Sequence, residues 1–406
     1  MSGPDAAAAS PGIPPRIAAR GRLRMWTILL TSGLAFLAPS VVAPGLPALQ
    51  ADFAHMENAE LLSRMVLTMP MLFIALSGPF VGYVIDRFGR KNVLIICAAA
   101  YGAAGISVLL LESLVAILVS RAILGVFLAG ILTSVTALLG DYYAGDERNR
   151  IAGLQGAFMS FGTLTFVVIS GLLAEIHWRV SFSLFAVAFA LIPLMLLSLY
   201  EPMSASPAGR SREPRPTLRQ WGAIGFVCGL TFLTLVAMFM IPSQTQFFLV
   251  EIGVSDPTRA GIAIGMFNLT AGFASLAFGR IRKRLSPEAI FALIFAFGGT
   301  GFVMTGHAES FTQTLVAMAV GGFSMGAFIP NANMAIISRA SMGVRGRALG
   351  ALTTLFFLGQ FFSPVYSVPV AAGGSVAFAF EVTGFWLLAI SAAFALYATK
   401  GGWRAA

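Results

Sequence analysis

Charge is scarce in this chain. Asp, Glu, Lys and Arg make up only 11% of its 406 residues, against about a quarter in a soluble domain. With 57% hydrophobic residues and a mean hydropathy of +0.85, that scarcity excludes a soluble globular protein and indicates an integral membrane protein. Histidine is rare as well, with three residues, so a His-ligated metal centre is not expected. The two cysteines, Cys97 and Cys228, lie inside apolar stretches and suggest neither a disulfide framework nor a metal site. No Gly-rich loop ends in Lys-Ser or Lys-Thr, which argues against ATP-driven transport. No Ser/His pair or metal-ligand spacing supports an enzyme, and no cofactor is implied.

What the chain has is long apolar runs. A helix crosses the hydrocarbon core with about 20 such residues. Twelve candidates can be read at roughly 25–49, 61–85, 92–111, 114–140, 151–175, 179–200, 219–248, 258–281, 287–307, 311–337, 346–372 and 375–398. The runs are continuous rather than alternating, which fits an all-α integral membrane fold and not a barrel.

The basic residues set the orientation. They cluster at one end of the spans: in the N-terminal segment, then at 87–91, 148–150, 210–219, 280–284, 339–347 and 400–404. The other end holds only Arg64, Arg179 and Arg259, and Arg121 falls inside a span. The positive-inside rule then puts both termini in the cytoplasm of a multi-pass inner-membrane protein. The net charge of +9 is thus a topology signal with the lipid bilayer as partner, not a footprint for nucleic acid. Residues 1–24 are Ala, Pro, Gly and Arg and are expected to form a disordered cytoplasmic tail. A signal peptide is rejected because the first span is needed by an internal repeat.

That repeat divides the chain into six spans at 25–200 and six at 219–398. They are joined by the Pro-, Ser- and Arg-rich linker 201–218, and a tail follows at 399–406. Sliding one half over the other by 197 residues brings Gly82 onto Gly279, Gly102 onto Gly299, Gly125 onto Gly322, Gly153 onto Gly350 and Gly162 onto Gly359. The same shift brings Arg87 onto Arg284, Arg148 onto Arg345 and Arg150 onto Arg347. Two parallel six-helix halves imply a pseudo-two-fold axis along the membrane normal, with a substrate site between them near the midplane.

After the second span the chain reads Gly82-Tyr-Val-Ile-Asp86-Arg87-Phe-Gly89-Arg90-Lys91. This resembles the signature G-x-x-x-D-R-x-G-R-[KR] of the major facilitator superfamily, in its usual place, and the topology and repeat agree across nearly the whole chain. Physically, Gly78 and Gly82 would let two helices approach closely, and Gly89 can take the positive φ of the turn. The resemblance implies that Gly82, Asp86, Arg87, Gly89, Arg90 and Lys91 form a charge-and-cap lock steadying an outward-open state. Asp141, ending span four, is expected to pair with Arg148 or Arg150 as a cytoplasmic gate. The second half keeps Gly279 and Arg284 but has Lys283 in place of Asp86, so the lock is expected to be asymmetric.

Arg121 lies about seven residues into span four and is followed by Gly125. A charge at that depth is a functional hypothesis by default, and the stretch resembles the family's fourth-span motif, whose Arg is linked to proton coupling. The bland alternative is a packing Arg held by carbonyls or snorkelling outward. Buried acids are few: residues 25–49 have none, unlike many proton-coupled exporters of the family. Glu381 in span twelve is a proton-coupling candidate, with an interfacial or packing role as its alternative. Asp52, Glu57, Glu60 and Glu112 are candidate entry points for protons at the external face. Span five lacks the proline of the drug-antiporter pattern, which weakens the drug-exporter reading but not the superfamily one.

In the family, spans one, four, seven and ten line the cavity, flanked by two, five, eight and eleven. That implies a lining of Phe36, Ser40, Arg121, Met238, Gln244, Gln246, Phe323, Phe328, Asn331 and Asn333, with Asn268, Gln360, Met69, Met159 and Phe357 beside them. Such a wall, apolar and aromatic with few charges, suits a small amphipathic molecule. The leading expectation is a monomeric secondary transporter exporting such a compound against protons. Import of a metabolite, including an organic anion paired with Arg121, is the alternative. A nutrient receptor on a transporter fold is the reading from another class, and the lack of a long soluble domain counts against it.

Overall fold

A computed structural model describes residues 21–202, 217–340 and 342–399. Residues 1–20, most of the expected linker, the last residues of the chain and the Met159 side chain lie outside the described ones. The described chain is helical: α1 Gly21–Val42, α2 Leu46–Asp52, α3 Ala59–Phe88, α4 Arg90–Ile106, α5 Leu114–Tyr142, α6 Gly145–Ile176 and α7 Val187–Ser198 in the first half. The second half holds α8 Leu218–Met238, α9 Met240–Glu251, α10 Pro257–Arg282, α11 Pro287–Gly306, α12 Phe311–Ile337, α13 Met342–Ala372 and α14 Val376–Thr399.

Among the described residues, 11 helical spans are long and apolar enough to cross a membrane. The twelfth, α6, confines its apolar stretch to Gly162–Ile176. It opens with Gly-Asp-Glu-Arg-Asn-Arg, charges that keep its first turns in water. Three of the expected spans are not single α-helices. The first is interrupted by a 3-10 turn at Ala43–Gly45, where Pro44 supplies no N–H, and the seventh breaks at Phe239, just before Pro242. The sixth starts as a nine-residue 3-10 helix, Trp178–Ala186, before α7.

The repeat seen in the sequence is physical. α4 starts at Arg90 and α11 at Pro287, α5 at Leu114 and α12 at Phe311, each pair one repeat apart. A Cβ on Gly125 would lie 2.4 Å from the Pro70 carbonyl oxygen, and one on Gly322 would lie 2.2 Å from the Phe267 carbonyl oxygen. Those four residues are two repeat-related pairs, so α5 nests on α3 as α12 nests on α10. The ends match too. Asp52 accepts from the Trp178 indole N–H (2.6 Å), tying α2 to the start of the sixth span; Glu251 accepts from the backbone N–H of Val376 (2.9 Å), tying α9 to the start of α14. The chain thus has the two pseudo-symmetric six-helix bundles of the expected architecture.

Candidate functional site

The signature loop is a tight turn between α3 and α4. Gly89 has φ +88°, as its place in the motif requires. The turn is held by a residue outside the motif: Glu201, just past α7, accepts from the backbone N–H groups of Arg90 (2.6 Å) and Lys91 (2.9 Å). A carboxylate there satisfies two orphan donors and favours the positive end of α4. Arg90 also forms an ion pair with Asp141, the Lys91 ammonium donates to the Leu196 carbonyl (3.4 Å), and Arg87 donates to the Tyr83 hydroxyl (3.2 Å). Tyr142 donates to the Tyr200 carbonyl beside them. Two expectations change. Asp141 pairs with Arg90 across the α4–α5 junction, not with Arg148 or Arg150, which are exposed. A Cβ on Gly78 or Gly82 would meet nothing within 4 Å, so in this conformation neither glycine serves a close helix approach; Asp86 is exposed beside them.

Arg121 is fully buried; its Nη2 is hydrogen-bonded, while its Nε and Nη1 have no hydrogen-bond partner. Its Nη2 donates to the carbonyls of Ala104 (2.8 Å) and Gly105 (3.2 Å) in α4 and lies 3.3 Å from the Ser120 hydroxyl. Its guanidinium stacks 5.1 Å from the Phe182 ring and 5.1 Å from that of Phe185, both in the sixth span. It therefore points between α4 and the sixth span, inside the first bundle, and not toward the second half.

Several expected lining residues pack against neighbours of their own bundle in the second half. Met238 accepts from Ser324 through its sulfur (3.3 Å), and its methyl would sit 2.9 Å from a Cβ on Gly298 of α11. Phe323 pairs with Phe297, and buried Phe328 packs edge-on to Phe291, both on α11. Asn331 donates to the Pro287 carbonyl (3.1 Å). These corrections share one cause: α12 presents successive faces to α10, α11 and the centre, and the repeat alone does not say which residue takes which. Gln246 donates to the Ser243 carbonyl (3.1 Å), Ser40 to that of Phe36 (2.7 Å) and Asn268 to that of Ile264 (2.9 Å). Phe36, Asn268 and Asn333 are half-buried, and Gln360 is buried. Glu381, in the second turn of α14, is half-buried: its carboxylate lies 3.5 Å from His307 at the end of α11, and its Cγ packs 2.4 Å from where a Gly306 Cβ would be.

The halves meet firmly at the face opposite the basic loops. A Cβ on Gly261 would lie 2.6 Å from the Val167 carbonyl oxygen, and one on Gly171 would lie 2.8 Å from that of Pro257, so α6 and α10 touch backbone to backbone. Thr258 donates to Glu175 nearby. On the other side of the axis Arg64, only 2% exposed, pairs with Glu60 (2.9 Å) and donates to the Gln244 carbonyl of α9 (3.2 Å). Gln244 in turn donates to the Ser367 hydroxyl of α13 (2.6 Å). Nearer the basic face, a Cβ on Gly82, Gly162, Gly279 or Gly350 meets nothing within 4 Å, and Phe80 and Tyr83 are 75% and 64% exposed. The sequence reading missed Arg64 and Glu201. Arg64 carries one signal, a cation five residues into a span with Glu60 one turn before it. Glu201 had none, because only the fold carries it to the signature loop.

Such a pair of helical bundles, together with the family match below, points to a membrane transporter rather than an enzyme. Residues 28–364 match the Major Facilitator Superfamily, and the chain belongs to that family. It is 26% identical to the 3-(3-hydroxy-phenyl)propionate transporter of Escherichia coli (strain K12), over 86% of this chain and 88% of that one. It is 22% identical to the multidrug resistance protein MdtG of Escherichia coli (strain SMS-3-5 / SECEC), over 90% and 91%. Among solved structures, a bacterial homolog of the human lysosomal transporter Spinster, inward-facing and occupied, superposes with a TM-score of 0.75. That match has 15% identity and covers 97% of this chain and 100% of that one.

Proposed function

We propose that the protein is a secondary transporter that exports a small amphipathic compound, a drug or a metabolite, in exchange for protons. The observation that carries this reading is the unequal closure of the two faces. Arg64 with Gln244, and Gly261 with Val167, join the halves at one face, whereas among the described residues a Cβ on Gly82, Gly162, Gly279 or Gly350, nearer the other face, meets nothing within 4 Å. Two repeat-related bundles joined in this way hold a midplane site that one side reaches at a time. The positive-inside rule assigns the basic face to the cytoplasm, with both termini there, so the conformation is inward-open.

The cargo class follows from what faces the centre. With Arg121 turned into the first bundle and Glu381 packed against Gly306 beside His307, the remaining candidates Phe36, Ser40, Asn268, Asn333 and Gln360 are neutral. A neutral, partly aromatic wall favours weakly polar amphipathic molecules over sugars or polyanions. Export is drawn from the multidrug resistance relatives. Uptake of an aromatic acid is the second reading, favoured by the hydroxyphenylpropionate transporter of similar coverage. For the proton, Glu60 is the candidate: its carboxylate is 47% exposed at the external face and bonded to buried Arg64.

The test is proton release from energised everted vesicles holding the protein, followed by dequenching of an acridine-type dye. Amphipathic drugs are expected to dequench and sugars are not. Silence across the panel, with uptake of a labelled aromatic acid in right-side-out vesicles, would replace export with the second reading.

A further inference from the structure

We infer that Arg64, Gln244 and Ser367 form a latch that holds the external face closed, and that its strength sets the balance between inward-open and outward-open states. The inference rests on the alternating-access reading above and names the group that controls it.

Three features single out this cluster. The first is that one amide spans the seam. The Gln244 carbonyl accepts from Arg64 of the first half (3.2 Å), while its NH2 donates to Ser367 of α13 (2.6 Å). Gln50, at the tip of the first span, accepts from Arg64 at 3.4 Å, and the Phe247 ring lies 4.0 Å from the guanidinium carbon. Three segments, α2, α3 and α9, thus meet at one cation, and α13 joins them through Gln244. Gln244 and Ser367 are wholly buried, so the bonds form in a dry setting where leaving either partner unmade is costly. Once the seam opens, water replaces each lost partner. The bonds are therefore strong when closed and cheap to lose when open.

The second feature is asymmetry. The repeat-equivalent of Arg64 is Gly261, where a Cβ has only 2.6 Å to the Val167 carbonyl oxygen. One seam is closed by backbone contact with a single exposed side-chain bond, Thr258 to Glu175, and the other by a buried cation and a buried amide. A permanently closed seam is built more cheaply from apolar residues than from a buried cation and amides. The polar version makes physical sense where the surface is periodically wetted.

The third feature is what lies one turn deeper. Thr68 on the Arg64 face of α3 and Ser363 on the Ser367 face of α13 are buried hydroxyls without a hydrogen-bond partner. They are two of several such hydroxyls among the described residues, and what sets these two apart is their place, one on each side of the seam and one turn inward from the latch. They are expected along a surface that is hydrated in the protein's other state.

The experiment measures the external gap directly, independently of any cargo. Spin labels are placed at Ala48→Cys and Ser255→Cys, which line one crevice between the halves, in a Cys97→Ala, Cys228→Ala background reconstituted in vesicles. Gln244→Ala is expected to raise the long-distance population severalfold. Gln244→Glu, which pairs a full negative charge with Arg64, is expected to lower it severalfold and to slow transport. Opposite shifts from two substitutions of one residue are not what loss of fold produces. Equal distributions in all three proteins, with a pH gradient across the vesicle still shifting them, would overturn the latch and spare alternating access. A gap that no gradient, cargo or substitution ever opens would overturn the alternating-access reading and the latch with it.

Discussion

Arg121 donates to the Ala104 carbonyl oxygen at 2.8 Å, across the contact between α5 and α4. Because that carbonyl belongs to a helix and two Phe rings cover the guanidinium, the residue ties one bundle together. Arg121→Met keeps most of the volume and the apolar contacts while removing the bonds. The expected cost is on the order of 1–2 kcal/mol, read as a lower melting temperature in detergent, with the substrate KM within about twofold of wild type. A large rise in KM with an unchanged melting temperature would return Arg121 to the cavity.

Glu201 closes the signature loop from a position far along the chain. Its carboxylate caps α4 through the N–H groups of Arg90 and Lys91 and sits 2.8 Å from where a Gly89 Cβ would be. Glu201→Ala uncovers both donors and is expected to cost about 1–2 kcal/mol. Gly89→Ala forces a side chain into a positive-φ turn already filled by Glu201 and is expected to be at least as damaging. The double variant should be less damaging than the sum, because removing the carboxylate makes room for the methyl. Thermal melting of the four proteins measures the coupling, and strict additivity would mean the two residues do not share the turn.

The fold was legible because the bilayer leaves few options. Apolar runs, the one-sided basic loops and glycines such as Gly125 and Gly322 recur at one spacing, and each is fixed by local chemistry. The candidate site was less legible because rotation of a helix about its axis is not. Met238, Phe323 and Phe328 carry the composition of a cavity wall, yet each faces a neighbour in its own bundle. Asp141 had three basic partners within reach of the loops, and only the packing of α4 against α5 selects Arg90. Arg64 was visible as an unusual charge, but its partner Gln244, which in turn bonds Ser367, lies in the other half and becomes its neighbour only when the halves close.

Glu381 bears on proton coupling through its location. It stands beside His307 at 3.5 Å, with its side chain 29% exposed and that of His307 63% exposed. An exposed pair of this kind contributes about 0–1 kcal/mol. Glu381→Gln is therefore expected to leave proton-driven transport and its pH profile unchanged, whereas Glu60→Gln shifts that profile. Dye dequenching over a pH series measures both. Loss of coupling in Glu381→Gln alone would move the proton site to α14.

Gly125 and Gly82 are both glycines of the first bundle, and the structure separates them. At Gly125 a Cβ would press against the Pro70 backbone at 2.4 Å, so Gly125→Ala forces α5 off α3. The expected loss is about 1–3 kcal/mol, the usual range for overpacking. At Gly82 a Cβ meets nothing, so Gly82→Ala is expected to leave the melting temperature within a degree or so of wild type. Its cost falls on the other state. If α3 closes on α13 at the cytoplasmic face when the protein opens outward, an added methyl there opposes that state alone and shifts the population inward. The gap between labels at Ala48 and Ser255 should then shorten on average in Gly82→Ala while stability holds. A Gly82→Ala protein that melts early would place that glycine at a packed contact, and one that transports at the wild-type rate with an unshifted gap would remove it from the lock.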